Sequence, residues 1–580
     1  METVKLTIDG KQIEAPKNAT ILEAARLAGI EIPTLCYMKN INAIGACRIC
    51  VVEVKGARAH VAACVYPVSE GMEVRTNTAS IVKARKATLE LILSNHRMDC
   101  LTCLRNQKCE LQKLAADFGL QHVRYKNDKT EPEIEASAMH LVRDNSKCIL
   151  CRRCVAVCKY NQAVGVIGPN DRGFSTHISC AFDRNLDESP CISCGQCISV
   201  CPTGALTEKD DTEKVWEALG DPTKHVVVGV APSIRVTIGE CFGAPVGTNS
   251  EGKMVAALNR LGFDKVFDID HTADLTIMEE GTEFLKRLES GKNLPMITSC
   301  SPGWIRYCET YYPDFLDNLS SCKSPQQMFG AVIKTMYADK NGIDPKDIVT
   351  VSIMPCTAKK FEIHRKNQQA IDGLDDVDIV VTTRELSRMV SRAGIMFSDL
   401  PDEKFDEIAS SAGLLFGATG GVMEAALRTV AELVNKKEPE NLVFQELRGV
   451  KGIKEAVYNI GGKDVRVAAA SGLANVKSLL DSIRSGEKEY DFIECMACPG
   501  GCINGGGQPV QPASVRNFVD LREERAKAIY GMDKSAALRK SHENEFVKEL
   551  YRDYFGEPGG EKAHHALHTS YQAHVKYQLD

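Results

Sequence analysis

Val4-Lys-Leu-Thr-Ile8 alternates apolar and polar residues, and after Asp9-Gly10 the alternation resumes through Lys11-Gln-Ile-Glu14. A period of two marks half-buried strands, and Asp-Gly between two such runs predicts a two-residue hairpin. Thr20 and Glu23 have the spacing of a capping box, which predicts a helix over 22–28. Strand, strand and helix then lead into a loop of small residues, so the first unit reads as α+β. A second helical stretch covers 81–94. From about residue 208 the texture changes to long apolar strands alternating with helices, an α/β pattern. Three runs there place cysteine just beyond a strand: Met296-Ile-Thr-Ser-Cys300, Val349-Thr-Val-Ser-Ile-Met-Pro-Cys356 and Phe492-Ile-Glu-Cys-Met-Ala-Cys498. Ligands of open α/β sheets gather at the carboxyl ends of strands, so three distant segments are expected to converge on one buried site.

At 580 residues the chain is too long for a single core, since cores stop growing at roughly 250–300 residues. Its 44% hydrophobic and 26% charged residues are those of an ordinary globular protein. A net charge of −6 without a basic tract gives no support to nucleic-acid binding. The start, Met1-Glu2-Thr3-Val4-Lys5, lacks the layout of a signal peptide, and no apolar run approaches the ~18 residues of a membrane span. The expected location is cytoplasmic. In a reducing compartment the 24 cysteines are expected as thiolates on metal and not as disulfides.

Most of those cysteines fall into five groups. Cys36, Cys47, Cys50 and Cys64 follow the predicted hairpin and helix, and the loop Gly45-Ala46-Cys47-Arg48-Ile49-Cys50 is small enough for backbone amides to approach sulfur. Four cysteines also suit zinc, but this spacing behind a hairpin favours a two-iron cluster. Cys100, Cys103 and Cys109 lack a fourth thiol, and His96 stands where it would supply the missing ligand. Two C-x2-C-x2-C-x3-C runs follow, Cys148/Cys151/Cys154/Cys158 and Cys191/Cys194/Cys197/Cys201. In that pattern the fourth cysteine of each run ligates the other cluster. Cys148, Cys151, Cys154 and Cys201 are thus assigned to one cluster, and Cys191, Cys194, Cys197 and Cys158 to its twin. The dispersed fifth group is Cys300, Cys356, Cys498 and Cys502. Cys180, Cys241, Cys308, Cys322 and Cys495 have no assigned role. The glycine stretches Gly417-Ala-Thr-Gly-Gly421 and Gly505-Gly-Gly507 fit close approach of backbone to something bulky, or ordinary tight turns.

The first group resembles a plant-type ferredoxin with the loop spacing of complex I electron-input subunits, and the His96 group is similar to a one-histidine, three-cysteine four-iron module. Thr298-Ser-Cys-Ser-Pro-Gly-Trp304, Met354-Pro-Cys-Thr-Ala-Lys-Lys-Phe-Glu362 and Glu494-Cys-Met-Ala-Cys-Pro-Gly-Gly-Cys-Ile-Asn-Gly-Gly-Gly-Gln-Pro509 resemble the three signature motifs of FeFe-hydrogenases. The tail segments Arg539-Lys-Ser-His-Glu-Asn544 and Tyr554-Phe-Gly-Glu-Pro558 are similar to the small-subunit region of that family. The resemblance implies an H-cluster, a four-iron cubane joined to a two-iron centre carrying carbonyl, cyanide and azadithiolate. It implies that Cys502 bridges the two parts and that Cys356 and Cys498 bind the cubane. Lys359 would hydrogen-bond a cyanide, Met354 and Met496 would pack on the iron pair, and Pro232 and Ser233 would line the cyanide pocket. Ser301, Gln326, Gly417 and Gly420 would contact the cofactor. The implied proton relay is Cys300, Glu280, Ser320, Glu283 and Arg287. On residues alone, Glu280 and Glu283 also fit a solvated helix face.

One position departs from the family. Typical members carry two adjacent cysteines in the first motif, a relay thiol and then a cubane ligand before proline. Here the pair is Cys300-Ser301. Either Ser301 ligates iron through oxygen, or Cys300 ligates and the relay runs through Ser301 or water. Alternatively the fourth ligand is altered and full activity is lost. Thiolate is the far better ligand for such a cluster.

The expected architecture is multidomain α+β and α/β. It comprises a 2Fe-2S ferredoxin-like unit (1–78), a 4Fe-4S module (79–140), a two-cluster ferredoxin-like unit (141–207), an H-cluster catalytic unit (208–512) and a small-subunit-like wrap (513–580). The resemblance implies reversible reduction of protons to dihydrogen. Neither a dinucleotide fingerprint nor a P-loop is present, so electrons are expected from ferredoxin or from a separate flavin-containing, NAD(P)H-binding subunit, as in electron-bifurcating assemblies. The rival readings are a non-catalytic electron-input subunit and a low-turnover sensory or assembly relative.

Overall fold

The computed structural model describes residues 2–125, 133–405, 407, 409–437 and 441–576. The remaining positions of the expected units (1, 126–132, 406, 408, 438–440 and 577–580) lie outside the described residues. Strand Thr3–Ile8 pairs antiparallel with Lys11–Pro16, with Ile8 opposite Lys11. Asp9 and Gly10 both have positive φ, as the Asp-Gly turn requires. The pair extends into a five-stranded sheet through Glu73–Arg75, Val51–Val54 and Val61–Ala62. Helix Ile21–Leu27 closes its apolar face, and Thr20 and Glu23 form the full capping box.

Helix Ala79–Ser94, capped by Thr78, leads to the His96 group. The two cysteine runs fold around the short helices Arg153–Ala156 and Gln196–Val200. These units are joined through carbonyls of their own cysteines. The Asn42 side-chain amide donates to Cys36 O at 2.9 Å and to Cys151 O at 3.0 Å. The fully buried Arg153 guanidinium holds Glu110 at 2.8 and 3.0 Å and the Tyr37 carbonyl at 3.2 Å. Arg105 reaches Cys201 O at 3.3 Å.

The α/β portion is built on two four-stranded sheets. The first is wholly parallel, in the order Lys265–Asp268, His225–Val230, Ile348–Met354, Ile379–Thr382. Three of its strands are buried on both faces and read as nearly continuous Val/Ile runs, while Lys265–Asp268 is the partly exposed edge. The second has Met296–Ile297 and Phe492–Met496 parallel, then Lys463–Ser471, with Ile453–Ile460 antiparallel at the edge. The 21-residue helix Asp270–Ser290 packs against helices Ser411–Leu415, Gly421–Asn435 and Pro325–Val332. Helix Leu521–Ser535 from the tail brings Asp533, fully buried, onto Arg428 at 2.8 Å, and Arg448 joins the same carboxylate at 2.6 Å. Among the described residues no helix is long and apolar enough to cross a membrane.

Candidate active site

The three predicted strands end at one cavity. Strand Ile348–Met354 delivers Met354, Pro355 and Cys356, and strand Phe492–Met496 delivers Met496, Ala497 and Cys498. Met296–Ile297 leads to Cys300 and Ser301, the latter capping helix Pro302–Tyr311 with proline in its first turn. Cys502, Pro232, Gln326 and Lys359 complete the wall, and so does Cys194 of the neighbouring ferredoxin-like unit. The lining is mostly apolar, so the thiols are held away from water. Burial pushes the Cys502 thiol up to about 12 and raises Cys356 as well.

Lys359 is fixed from three sides: its Nζ donates to Ser324 Oγ and Glu362 Oε2, both at 2.8 Å, and to Cys300 O at 3.2 Å. Gln326 accepts from Ser352 Oγ at 2.8 Å and donates to Glu362 at 3.0 Å. Ser233, Gly417 and Gly420 do not line the cavity. The Ser233 hydroxyl accepts from Gln508 at 3.1 Å, and the Gly417 carbonyl accepts from Ile503 N at 2.9 Å. The Gly420 amide donates to buried Glu494 at 2.6 Å, and a Cβ at Gly420 would lie 2.0 Å from Leu447 O. These glycines serve backbone packing. The same holds for Gly505 and Gly506, whose added Cβ atoms would sit 2.2 Å from Pro355 O and Cys194 O. Gly505 and Gly506 are thus pressed by protein backbone and Gly507 by the Thr382 side chain, Gly505 also lining the cavity, and Gly506 lets the ferredoxin-like unit press on the third motif.

Cys300 and Ser301 face different neighbours. Around the Cys300 thiol, which burial holds well up, lie Glu280, Cys502 and Lys359. The Ser301 hydroxyl instead accepts from Ala497 N at 3.3 Å, one residue from Cys498. Glu280, Glu283 and Arg287 all ride on helix Asp270–Ser290 and do not form a solvated face. Glu280 is fully buried, and among the described residues neither of its carboxylate oxygens has a partner in good hydrogen-bond geometry, though the Ser320 hydroxyl and Ser299 amide lie near. Burial pushes its carboxyl up to about 8, opposed by the nearby Ser320 hydroxyl. Ser320 Oγ donates to Glu283 Oε2 at 3.3 Å, and Arg287 binds Glu283 Oε1 at 2.6 Å on the half-buried side.

Several of the accessory cysteines are neighbours of one another. Cys36, Cys47, Cys50 and Cys64 are mutual neighbours, and Cys36 N donates to Cys47 Sγ at 3.4 Å. Burial lowers His96, whose Nδ1 is buried without a partner, a nitrogen suited to a metal ligand. Cys154 has Cys148, Cys151 and Cys201 around it, while Cys158 faces Cys191 and Cys197. Cys495 and Cys308 are buried neighbours away from the cavity. Sequence reading gave no weight to Cys194 as a cavity wall or to Glu362 and Ser324 as partners of Lys359. The i,i+3 spacing of Lys359 and Glu362 was the one signal available for Glu362, and none pointed to Ser324.

Fold and site define an iron–sulfur oxidoreductase with a relay of thiolate clusters ending at a buried thiol-lined cavity. Profile comparison matches residues 224–506 to the iron only hydrogenase large subunit, C-terminal domain, and 519–574 to the iron hydrogenase small subunit. Residues 1–79 match a 2Fe-2S iron-sulfur cluster binding domain, 85–124 the NADH-ubiquinone oxidoreductase-G iron-sulfur binding region, and 147–205 a 4Fe-4S dicluster domain. NADP-reducing hydrogenase subunit HndD of Solidesulfovibrio fructosivorans is 45% identical over 98% of this chain and 99% of its own. Iron hydrogenase 1 of Clostridium pasteurianum is 44% identical over the same shares. The solved structure of the FeFe-hydrogenase HydA1 from Chlamydomonas reinhardtii aligns with a TM-score of 0.56 at 41% identity, covering 63% of this chain and 99% of that one. The chain belongs to the iron-only hydrogenase family. It is an enzyme of that class, with ferredoxin-like 2Fe-2S and 4Fe-4S domains ahead of an H-cluster catalytic domain.

Proposed function

We propose that protons reach the cavity through Arg287, Glu283, Ser320, Glu280 and Cys300, and that Ser301 occupies the cubane-ligand position beside Cys356, Cys498 and Cys502. The observation that carries this reading is the opposite outlook of the adjacent pair. Cys300 faces the orphaned Glu280 carboxyl, while Ser301 Oγ lies on Ala497 N beside Cys498. The cavity's thiols and its apolar wall fit the H-cluster, with Met354, Met496, Pro232, Gln326 and Lys359 around the two-iron part. When bound, that cofactor supplies the redox chemistry of hydrogen formation and cleavage. The chain's own work is to exclude water, to aim the Lys359 ammonium into the cavity, and to hold a proton on Glu280 at neutral pH. From there Cys300 Sγ is the proton's last stop.

In this reading the chain divides at 78, 140, 207 and 512. Electrons enter through one 2Fe-2S and three 4Fe-4S clusters held by the ligand sets read from the sequence. They come from ferredoxin or from a flavin-containing, NAD(P)H-binding subunit of an electron-bifurcating assembly in the cytoplasm. The near full-length match to an NADP-reducing hydrogenase subunit supports the second source.

C300A and S301C variants, matured anaerobically, test the assignment. C300A keeps the infrared carbonyl and cyanide bands but loses turnover at least 100-fold. S301C keeps turnover and changes the magnetic signature of the cubane. Loss of the bands in C300A, with S301C silent, makes Cys300 the iron ligand and overturns the assignment.

A further inference from the structure

Cys322 is one of the thiols to which neither the motifs nor the proposed chemistry gives a role. It lies, fully buried, against the outer end of the proposed proton route. Its Sγ is 3.8 Å from Glu283 Oε2, and one ligand atom each of Glu283, Cys322 and His568 lie within 4.8 Å of one another. We propose that these three residues form a binding site for a zinc-class divalent cation, which removes the Glu283 carboxylate from proton traffic when it binds. The proposal rests on the relay reading for its effect on turnover, though not for the site itself.

Three features of the surroundings fit this use. The two Glu283 oxygens are divided: Oε1 is held by Arg287 at 2.6 Å, while Oε2 points to Ser320, Ser321 and Cys322. Ligation thus falls to Oε2, which also accepts from Ser321 N at 3.0 Å and would exchange its hydroxyl contacts for the cation, while Oε1 stays anchored. His568 Nδ1 lies 2.8 Å from Ser321 Oγ, on the Glu283 side, and its Nε2 lies 2.9 Å from Glu279 Oε2. A carboxylate behind the far nitrogen holds the proton there, leaving Nδ1 as a lone-pair donor. Glu279 is itself fixed by the Tyr551 hydroxyl at 2.5 Å and the Gly559 amide at 2.9 Å, so the imidazole is oriented from the tail.

The donor set of one thiolate, one imidazole and one carboxylate selects zinc-like ions over magnesium or calcium, which take oxygen shells. Binding releases the Cys322 thiol proton to solvent and replaces the Ser321 contact at Nδ1. No electron is transferred. The other candidate trio, Glu432, His542 and Glu543, is unlike this one. The Lys540 ammonium already sits 2.8 Å from both of its glutamates.

The test adds zinc chloride to the matured holoenzyme under anaerobic conditions. Zinc and iron per chain are counted after gel filtration, the zinc absorption edge is recorded, and hydrogen evolution is followed with a reduced artificial donor. The expected result is one added zinc per chain with unchanged iron. Its shell should show one sulfur at about 2.3 Å and nitrogen or oxygen at about 2.0 Å. Turnover should fall at least tenfold and recover on adding a chelator. C322S and H568Q each lose the bound zinc, and each loses at least tenfold of the sensitivity to it. Equal uptake by both variants, no uptake at all, or uptake matched by iron loss overturns the site. If zinc binds as described and turnover is unchanged, the site stands and its effect on proton traffic is overturned. E283Q then assigns the failure: an active E283Q means the relay reading is wrong, and an inactive one means that bound zinc does not intercept it.

Discussion

Glu280 combines two properties that rarely coexist, complete burial and, among the described residues, a carboxylate with no partner in good hydrogen-bond geometry. Its native pKa of about 8 stands above the unfolded value of about 4.5, so the folded state binds the extra proton between those limits. Stability from this group is therefore full below about pH 4.5 and lost as pH rises towards 8, a contribution of up to about 5 kcal/mol. E280Q is expected to flatten the decline in melting temperature between pH 5 and 8, since the amide cannot ionise. The same variant should lose turnover at least 100-fold while its infrared bands persist. A wild-type slope in E280Q would mean that the pH dependence comes from other buried acids such as Glu494 or Asp270. The alternation of Cys300 with Ser301 was visible in the sequence, but not which way each side chain faces. Consecutive residues diverge there because Ser301 begins a helix while Cys300 still belongs to the strand exit, and that junction depends on packing that no local pattern encodes.

At the scale of elements, the cluster-bearing units are held together by a few polar side chains aimed at backbone carbonyls. Arg153 is the most buried of them, spanning Glu110 and the Cys36–Tyr37 loop. R153M leaves Glu110 without its cation and should cost about 3–5 kcal/mol of local stability. Thermal loss of the 2Fe-2S signal should then move to lower temperature relative to loss of the catalytic infrared bands, compared with the wild type. Gly506 tests another junction. G506A would push a methyl into Cys194 O, so electron delivery from the accessory clusters should slow at least tenfold in rapid-mixing reduction, with the infrared bands retained. The hairpin, the capped helix and the strand ends were legible because each follows a local periodicity or turn rule. The demand on Gly420, Gly505 and Gly506 was not: the backbone that requires their small size comes from Leu447, Pro355 and Cys194, distant in sequence.

Across the whole molecule, the tail is tied in by charge. Asp533 sits among Arg428, Arg448 and Arg539, and those guanidiniums hold its carboxyl well below the usual range despite burial. D533A would leave buried cations uncompensated and should cost about 3–5 kcal/mol. Limited proteolysis should then release a fragment from the region after 513 at temperatures where the wild type is intact. The five cysteine groups and three motifs were enough to read the modular order from the sequence. The contact between modules was not, since it rests on isolated residues such as Asn42, Arg105 and Arg153 whose neighbours are far along the chain.

The position of Cys194 bears on attempts to shorten this enzyme. Because that residue forms part of the cavity wall, the ferredoxin-like unit that carries it is masonry as well as wiring. A stand-alone catalytic piece cut at 208 would open the reaction chamber to solvent and bare the Gly505–Gly506 backbone. The HydA1 structure from Chlamydomonas reinhardtii aligns over 99% of its own length with only 63% of this chain. A designer wanting a minimal version of the present protein must therefore supply a replacement partition, and merely deleting clusters will not do.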